Sequence, residues 1–276
     1  MDNLESAVAN HYGVPDLLTR ILKALETKGV DLDNLTPDDL APVDEFHIGG
    51  RPATEYVVAK MSVSNSQHIL DVGCGIGGAT RYLASQYGCR VTGIDLTPDY
   101  IEVARELAAR TGLDRQATYE VASALNMPFD EAHFDGALTL HVAMNIRDRA
   151  GLYGEVARVL KPDAIFCVYD VMKGQRDGLI YPVPWADTAE TSHLTSPDET
   201  AMLLENAGFQ VREIEDRKDF AIAFFRQSLQ AVKQGPPPLG LHLLMGPLGK
   251  RKFDNMLANL EQGHVSPVII IAQRGP

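Results

Sequence analysis

The most specific chemical pattern in the sequence is a glycine-rich turn at residues 69–78, Ile-Leu-Asp-Val-Gly-Cys-Gly-Ile-Gly-Gly. Gly73, Gly75 and Gly78 carry no Cβ, so the backbone can turn tightly there and approach a ligand closely. About twenty residues further on, Asp95 ends the next apolar run, where a carboxylate can accept hydrogen bonds from both hydroxyls of a ribose. The spacing predicts a cofactor that contains a ribose, and the glycines alone leave a nicotinamide dinucleotide open.

Asp71 narrows the choice of cofactor. It stands two residues before Gly73, at the strand end that would face the pyrophosphate of a dinucleotide. A carboxylate there favours a ligand with a cationic group, because two negative charges repel each other strongly at short distance. We therefore expect a cofactor that carries positive charge, with a nicotinamide-dependent oxidoreductase as the alternative.

Two histidines are candidate bases. In an open α/β sheet, ligands bind at the carboxyl ends of the strands. His141 directly follows the fourth predicted strand, and an imidazole with its usual pKa near 6.5 is a workable base at neutral pH. His47 precedes the first strand and is the second candidate. For each of them, a hydrogen-bonded histidine without a catalytic role is the alternative.

Three further side chains are candidates for contact with a substrate at this edge of the sheet. Asn145 can orient an acceptor by hydrogen bonds, Asp170 ends the fifth predicted strand, and Trp185 is the only tryptophan. A carboxylate and an aromatic ring beside the strand ends suit a cationic or apolar molecule. The alternatives are a capping role for Asn145, an ion pair or helix cap for Asp170, and loop packing for Trp185.

The elements that position these residues alternate between strand and helix. Apolar runs predict seven strands, and helical segments lie between the first five. The predicted strands are His68–Val72, Arg90–Ile94, Ala117–Val121, Phe134–Leu140, Ala164–Val171, Gln210–Ile214 and Val268–Ala272. The alternation indicates βαβ units, so we expect an α/β fold with a mainly parallel sheet.

Helices precede this sheet in the chain. Apolar residues recur with helical spacing along Leu17–Leu25, a Pro- and Asp-rich connector follows at Leu35–Val43, and a further helix starts after Gly50. We divide the chain into an N-terminal helical cap at 1–64 and a cofactor-binding domain at 65–276.

The segment between the last two strands, residues 216–264, is too long for a turn. It predicts a helical insertion that covers one edge of the site, with two helical parts separated at 235–238 by Gly-Pro-Pro-Pro. The apolar stretch Leu239–Met245 is typical of a core, with a ligand pocket or a subunit contact as alternatives.

Composition limits the partners of this chain of 276 residues. Its 25 Lys and Arg stand against 37 Asp and Glu, a net charge of −12, which disfavours nucleic acid because that binding depends on cationic side chains. Three cysteines without a CxxC pair indicate neither a disulfide framework nor a zinc site, and we expect no metal. Neither a signal peptide nor an apolar run near the ~20 residues of a membrane span is present, so we expect a cytoplasmic protein without membrane contact.

Several motifs in order resemble the class I S-adenosylmethionine-dependent methyltransferases, in the small-molecule branch related to ubiquinone/menaquinone, tocopherol and sarcosine/dimethylglycine methyltransferases. Besides the glycine turn, they are Val91–Leu96, Met127–Phe129, Phe134–Asp135 and Glu155–Pro162. The resemblance implies a Rossmann-like, seven-stranded sheet. It also implies methyl transfer from S-adenosylmethionine to a small-molecule acceptor, such as an amine, a phenol or quinol, or another natural-product-like metabolite.

The resemblance further implies a set of cofactor contacts. They are Arg51, Asp71, Gly73, Cys74, Gly75, Asp95, Leu96, Ser123, Ala124 and Leu140. The glycine turn lies against the methionine part, Asp71 anchors its amino group, and Arg51 is a candidate partner of its carboxylate, with a surface arginine as the alternative. Asp95 holds the ribose, and Ser123 meets the adenine edge. An aspartate often occupies the Ser123 position in the family, so that contact lacks a charge here.

Several points stay open at the level of the sequence. A protein on this scaffold can hold S-adenosylmethionine without transferring its methyl group, as a cyclase or a binding module. Neither the acceptor nor the methylated atom, N, O, C or S, follows from the residues, and neither does the need for a base. The oligomeric state is equally open, with a homo-oligomer among the alternatives.

Overall fold

A computed structural model describes residues 3–232, 235 and 237–276. The expected break at 235–238 therefore falls partly outside the described residues. The helices are α1 Asn3–Tyr12, α2 Leu17–Thr27, α3 Pro37–Asp44, α4 Gly50–Ala59, α5 Gly78–Tyr87, α6 Pro98–Arg110, α7 Arg149–Val159, α8 Pro197–Asn206, α9 Lys218–Val232, α10 His242–Met245 and α11 Gly249–Gln262. The strands are β1 His68–Val72, β2 Arg90–Asp95, β3 Ala117–Val121, β4 Phe134–Leu140, β5 Leu160–Lys173, β6 Phe209–Asp216 and β7 Val265–Arg274.

The seven strands form one sheet in the order β3-β2-β1-β4-β5-β7-β6. Strands β1 to β5 pair in parallel, whereas β7 runs antiparallel to both of its neighbours. This confirms the expected α/β fold with a Rossmann-like, mainly parallel seven-stranded sheet. The chain leaves β1 toward β2 on one side and returns as β4 on the other, which opens a crevice at their carboxyl ends.

Helices cover both faces of the sheet, and the central strand is buried on both. In β1, the side chains of Ile69, Leu70 and Val72 are at most 1% exposed. A nearly continuous apolar run is what a parallel strand needs when neither face meets water. Each such side chain contributes about 1.5–3 kcal/mol when it is fully buried. The sheet is therefore a rigid base for the loops at its carboxyl edge.

The prediction of a connector at Leu35–Val43 is wrong, because helix α3 begins at Pro37 and contains the remaining residues of this stretch. The Thr36 hydroxyl accepts the Asp39 backbone N–H, and the Asp39 carboxylate accepts the Thr36 N–H at 3.0 Å. This reciprocal capping, with Pro37 in the first turn, starts a helix in a stretch whose composition resembles a loop. The helix buries Leu40 and Val43 and brings its last residue against the start of α5.

The insertion before β7 consists of α9, α10 and α11, and α9 packs against α11. Leu239 and Leu243 are buried in one cluster with Leu17 and Ile21 of α2. The stretch 239–245 is therefore core, and part of it also lines the cavity described below. The division into a cap at 1–64 and a domain at 65–276 stays a prediction. Within residues 3–232, 235 and 237–276, no helix combines the length and the apolar character needed to cross a membrane.

Candidate active site

A cavity of about 340 Å³ opens at the carboxyl ends of β1, β2 and β4. Its size falls in the range of small-molecule sites. The wall combines the glycine turn, the ends of β2 and β3, the segment after β4, one face of α1 and parts of the insertion. Of the residues predicted as site residues, all except Arg51 and Asp170 line this cavity. The tertiary structure thus brings most of them together.

The glycine turn forms the floor of the cavity beside β1. The N–H groups of Gly73 and Cys74 both donate to the Ile94 carbonyl, at 2.8 and 2.9 Å, which ties the turn to β2. Gly73 has φ +77°, and a Cβ at this position would collide with the side chain of Val142. Gly75 has φ +55°, and no atom lies within 4 Å of the place where its Cβ would be. Gly73 must therefore be glycine because a side chain would collide with Val142, whereas Gly75 faces open space in which a ligand can approach the backbone.

Asp95, at the end of β2, is organised by the same turn. Its Oδ2 accepts the Gly75 N–H at 3.0 Å, and its Oδ1 accepts the Thr97 N–H at 2.9 Å. Burial raises the pKa of Asp95, and the two backbone hydrogen bonds act in the opposite direction. A carboxylate oxygen can accept a second hydrogen bond. Both oxygens are thus held in place and can still accept the two hydroxyls of a ribose.

Asp71, at the end of β1, is only 2% exposed. Its Oδ2 accepts the Thr80 hydroxyl at 2.7 Å, and burial raises its pKa to about 7. Among the described residues it forms no ion pair, and the charge of His47 acts against the effect of burial without offsetting it. A positively charged ligand group beside it would favour the ionised form.

The charge of the wall is strongly asymmetric. Six carboxylates line the cavity, and they belong to Glu5, Asp44, Glu45, Asp71, Asp95 and Asp148. In the described part of the chain, the exposed Arg147 is the only Lys or Arg in the wall. Asp44 and Glu45 are neutralised from outside the wall, by Arg81 at 2.7 Å and by Arg51 at 2.6 Å. The uncompensated acids next to the glycine turn fit the amino group and sulfonium of S-adenosylmethionine better than a pyrophosphate.

Arg51 does not face the cavity, which corrects the expected placement beside a cofactor carboxylate. Its Nε donates to Glu45 Oε1 at 2.6 Å, and its Nη1 donates to Asp38 at 3.3 Å. The side chain is 10% exposed and packs over the ring of Tyr82. The guanidinium is therefore occupied by two carboxylates of the protein itself, and it supports the wall from behind.

His47 lines the cavity but is engaged on both ring nitrogens. Nε2 lies 3.0 Å from Glu45 Oε2 and 2.9 Å from the Thr54 hydroxyl, and Nδ1 lies 3.4 Å from the Ile48 carbonyl oxygen. Burial opposes ionisation of Glu45, but its hydrogen bond to His47 and the charges of His47 and Arg51 hold its pKa down at about 2. His47 thus forms a fixed dyad with Glu45, which orients the ring.

His141 lies directly after β4 with φ +56°, a left-handed conformation that is uncommon outside glycine. Its Nδ1 is 3.2 Å from the Tyr169 carbonyl oxygen, which can only accept, so Nδ1 carries the proton. Burial and the neighbouring His47 keep the pKa of His141 well below its ordinary value. Nε2 is then an unprotonated acceptor, and its one hydrogen bond within the described residues is a long one of 3.4 Å from the Ile48 N–H.

Asn145 holds the far wall of the cavity together. Its Nδ2 donates to the carbonyl oxygens of Trp185 and Thr191, at 2.8 and 2.9 Å, and its Oδ1 accepts the Tyr12 hydroxyl at 2.9 Å. The indole N–H of Trp185 donates to the Ser192 hydroxyl at 2.9 Å. Both predicted substrate residues line the cavity, but their polar atoms are used to fix α1 and the loop after β5.

Asp170 lies behind the segment after β4, and it is not part of the wall. It is 1% exposed, and its Oδ2 is 3.7 Å from Nη1 of Arg149. Burial raises its pKa to about 7, although the Arg149 charge acts in the opposite direction. The predicted contact with a substrate is not supported by this placement, and the ion pair that was its alternative is present.

Sequence reasoning missed the acidic residues Glu5, Asp44 and Glu45, and the aromatic face of the insertion. Asp44 and Glu45 stand just before His47, and that proximity was the available signal. Glu5 carries no local signal, because only the tertiary position of α1 brings it to the site. Within the described residues, no group of three His, Cys, Asp or Glu side chains is arranged to hold a metal ion.

Comparisons with known proteins agree with this geometry. A family model described as a methyltransferase domain matches residues 70–168. The O-methyltransferase resE of Aspergillus sclerotiorum is 30% identical over 187 residues, which cover 66% of this chain and 69% of that protein. The sterol 24-C-methyltransferase of Eremothecium gossypii is 30% identical over 172 residues, 59% of this chain but only 46% of the relative.

Among solved structures, the geranyl diphosphate C-methyltransferase from Streptomyces coelicolor A3(2) is similar over the whole chain. That structure is a complex with Mg²⁺, geranyl-S-thiolodiphosphate and S-adenosyl-L-homocysteine. The TM-score is 0.72 at 17% sequence identity, and the match covers 99% of this chain and 98% of that one. At this identity the similarity shows the fold.

Proposed function

This chain belongs to the class I S-adenosylmethionine-dependent methyltransferases that act on small molecules, and we propose that its acceptor is an uncharged hydroxyl compound with an apolar body. The proposal depends on one observation: His141 lines the same cavity as the glycine turn, and its unprotonated Nε2 accepts only a long hydrogen bond from the Ile48 N–H among the described residues. S-adenosylmethionine supplies an activated methyl group on a sulfonium, so that positioning of the acceptor contributes much of the catalysis.

The apolar half of the cavity selects the body of the acceptor. Its wall is formed by Met144, Val171, Trp185, Phe224, Phe225, Leu244, Phe253 and Met256. Aromatic and aliphatic side chains contribute binding through the apolar area that they bury, at roughly 25 cal/mol per Å². They offer no compensation for a charge that has left water. This part of the wall therefore favours an uncharged acceptor.

The acidic residues of the wall act against an anionic acceptor. Phosphate or diphosphate groups need cationic side chains or a metal, and the exposed Arg147 is the single Lys or Arg that the described residues contribute to the wall. The geranyl diphosphate enzyme with the same fold is described with Mg²⁺ and a diphosphate analogue. We infer that this chain does not share that acceptor class, because its own cavity would repel the diphosphate.

His141 and His47 are the proposed catalytic pair. His141 Nε2 accepts the proton that the acceptor hydroxyl loses as its oxygen attacks the methyl group, and the Tyr169 carbonyl keeps the ring in the required tautomer. His47, held by Glu45, lies with its ring centre 5.9 Å from that of His141 and shapes this corner of the site. The name of the related O-methyltransferase supports oxygen as the methylated atom.

The test compares matched acceptors that share one apolar body, 1-naphthol, 1-naphthylamine and 1-naphthyl phosphate. We expect the purified protein to convert S-adenosylmethionine to S-adenosylhomocysteine with the naphthol, much more slowly with the amine, and not with the phosphate, with the ether identified by mass spectrometry. His141→Gln should lower kcat by roughly 10²–10⁴-fold with little change in S-adenosylhomocysteine affinity.

His133→Gln is the matched control, because His133 is exposed and does not line the cavity. Preference for the phosphate, or a His141→Gln variant that keeps the rate of the wild type, would contradict the proposal. Turnover of the amine alone would replace oxygen by nitrogen as the methylated atom.

A further inference from the structure

The cavity continues past Asp95 to the carboxyl end of β3. This end is lined by Leu96, Tyr100, residues 122–125 and two residues of α1, Leu4 and Glu5. Along the edge of the sheet, β1 with Asp71 lies on one side of Asp95 and β3 on the other. If the ribose is held at Asp95 and the amino group at Asp71, the adenine base occupies the β3 end.

Glu5 reaches this end from a distant part of the sequence. The Ser123 hydroxyl donates a short hydrogen bond to Glu5 Oε1, across 118 residues of chain. The same hydroxyl oxygen accepts the Leu125 N–H at 3.1 Å. Ser123 is thereby oriented by its own turn and directs its proton at Glu5. Because the hydroxyl proton is used in this way, Ser123 positions the carboxylate rather than donating to a ligand.

We propose that Glu5 is a specificity-determining residue of the cofactor site, whose carboxylate accepts the exocyclic amine of adenine. A carboxylate has acceptor capacity for about four hydrogen bonds, so Glu5 can keep its protein partners, Ser123 among them, and still accept a donor from the ligand. A carboxylate cannot donate, so it favours an amine over a carbonyl at the same place. This inference rests on the cofactor site and is independent of the acceptor class.

The position of α1 agrees with such a role. Glu5 contacts Ser123 at the cofactor end, and Tyr12 of the same helix donates to Asn145 at the acceptor end. Seven residues of helix span about 10 Å, so α1 reaches across the mouth between the two halves. The helix is held at both ends, which places the Glu5 carboxylate with little freedom.

The experiment measures binding by isothermal titration calorimetry with two probes, S-adenosylhomocysteine and S-inosylhomocysteine. The second carries a carbonyl in place of the exocyclic amine, which meets the Glu5 carboxylate acceptor to acceptor. We expect the wild type to bind the adenosine compound about 10- to 100-fold more tightly, the range of a lost charged hydrogen bond. In Glu5→Gln this ratio should fall to about threefold or less, because the amide can rotate and donate to the carbonyl.

Glu26→Gln is the matched control, since it makes the same change at an exposed position of α2 and should keep the ratio of the wild type. A Glu5→Gln variant that loses affinity equally for both probes, or keeps the full ratio, would overturn the proposal and leave a structural role in α1. If the wild type binds neither probe, the cofactor assignment itself fails, and that outcome is distinct from a failure of Glu5.

Discussion

At the scale of residues, the site depends on carboxylates in different environments. Glu45 is paired with Arg51 and His47, and its pKa is low, at about 2. Asp71 is buried and forms no ion pair with any residue that the structure describes, and its pKa is about 7. The same functional group is therefore a permanent anion in one place and ready to receive a cation in the other.

The raised pKa of the buried Asp170 can be measured through the pH dependence of the free energy of unfolding. Its pKa is raised from an unfolded value near 3.9 to about 7, so the folded state holds a proton that the unfolded state has lost between these values. Stability from this group is complete below pH ~4 and is lost as the pH rises to about 7. We expect Asp170→Asn, which cannot ionise, to gain about 2–3 kcal/mol relative to the wild type between pH 5 and pH 8.

Urea unfolding at the two pH values gives this difference directly. Asp130→Asn, at an exposed position, is the control. Its free energy of unfolding should differ from that of the wild type by the same small amount at both pH values. A difference between Asp170→Asn and the wild type that does not change with pH would show that Asp170 ionises normally in the folded protein.

At the scale of elements, the turn between β1 and α5 carries the strictest steric requirement. Gly73 combines φ +77° with a close approach of Val142, whereas Gly29 has nearly the same φ, +76°, and no atom within 4 Å of its Cβ position. The same substitution at these two glycines therefore distinguishes the cost of a strained backbone from the cost of a steric collision.

We expect Gly29→Ala to cost about 1–2 kcal/mol of stability, the cost of a left-handed alanine, with unchanged affinity for S-adenosylhomocysteine. Gly73→Ala pays the same strain and in addition displaces Val142 or the turn, so its affinity should fall at least about tenfold and its stability by a further 1–3 kcal/mol or so. Thermal melting and calorimetric titration measure the two effects. Equal behaviour of both variants would show that the turn tolerates a side chain.

At the scale of the whole molecule, the cavity wall joins segments from α1 near the start of the chain to α11 near its end. A ligand that contacts so many elements binds the folded state only. Saturation with S-adenosylhomocysteine at about 100 times its Kd should therefore add about 2.7 kcal/mol to the free energy of unfolding and raise Tm by several degrees.

Asp95→Asn tests whether this stabilisation passes through the predicted ribose contact. The variant should lose most of the shift in Tm at the same ligand concentration, while Asp114→Asn, at an exposed turn, should keep it. No shift for the wild type would contradict binding in this cavity, and a full shift for Asp95→Asn would contradict the ribose assignment alone.

The sequence by itself determined the sheet and one side of the cavity. Apolar runs located all seven strands. The pattern is clearest in the parallel strand β1, which is buried on both faces and must therefore be apolar, whereas the antiparallel edge strand β6 is largely exposed. The turn at 71–75 and Asp95 belong to two strands joined by one helix, so their meeting follows from local connectivity. The connector before Gly50 escaped this reasoning, since the cap of Thr36 and Asp39 outweighs a composition typical of loops.

The tertiary structure alone decided which distant side chains complete the site. Glu5 meets Ser123 across 118 residues of chain, and Tyr12 meets Asn145 across 133. Arg51 is only six residues from Glu45, but its turn toward Glu45 and away from the cavity was equally decided by packing. None of these pairings has a period or spacing in the chain, because they depend on how α1 and α4 dock on a finished sheet. The local sequence pattern indicates which faces of helices and strands are buried. Contacts between separate elements depend on how those faces pack together and on the charges that this packing brings close.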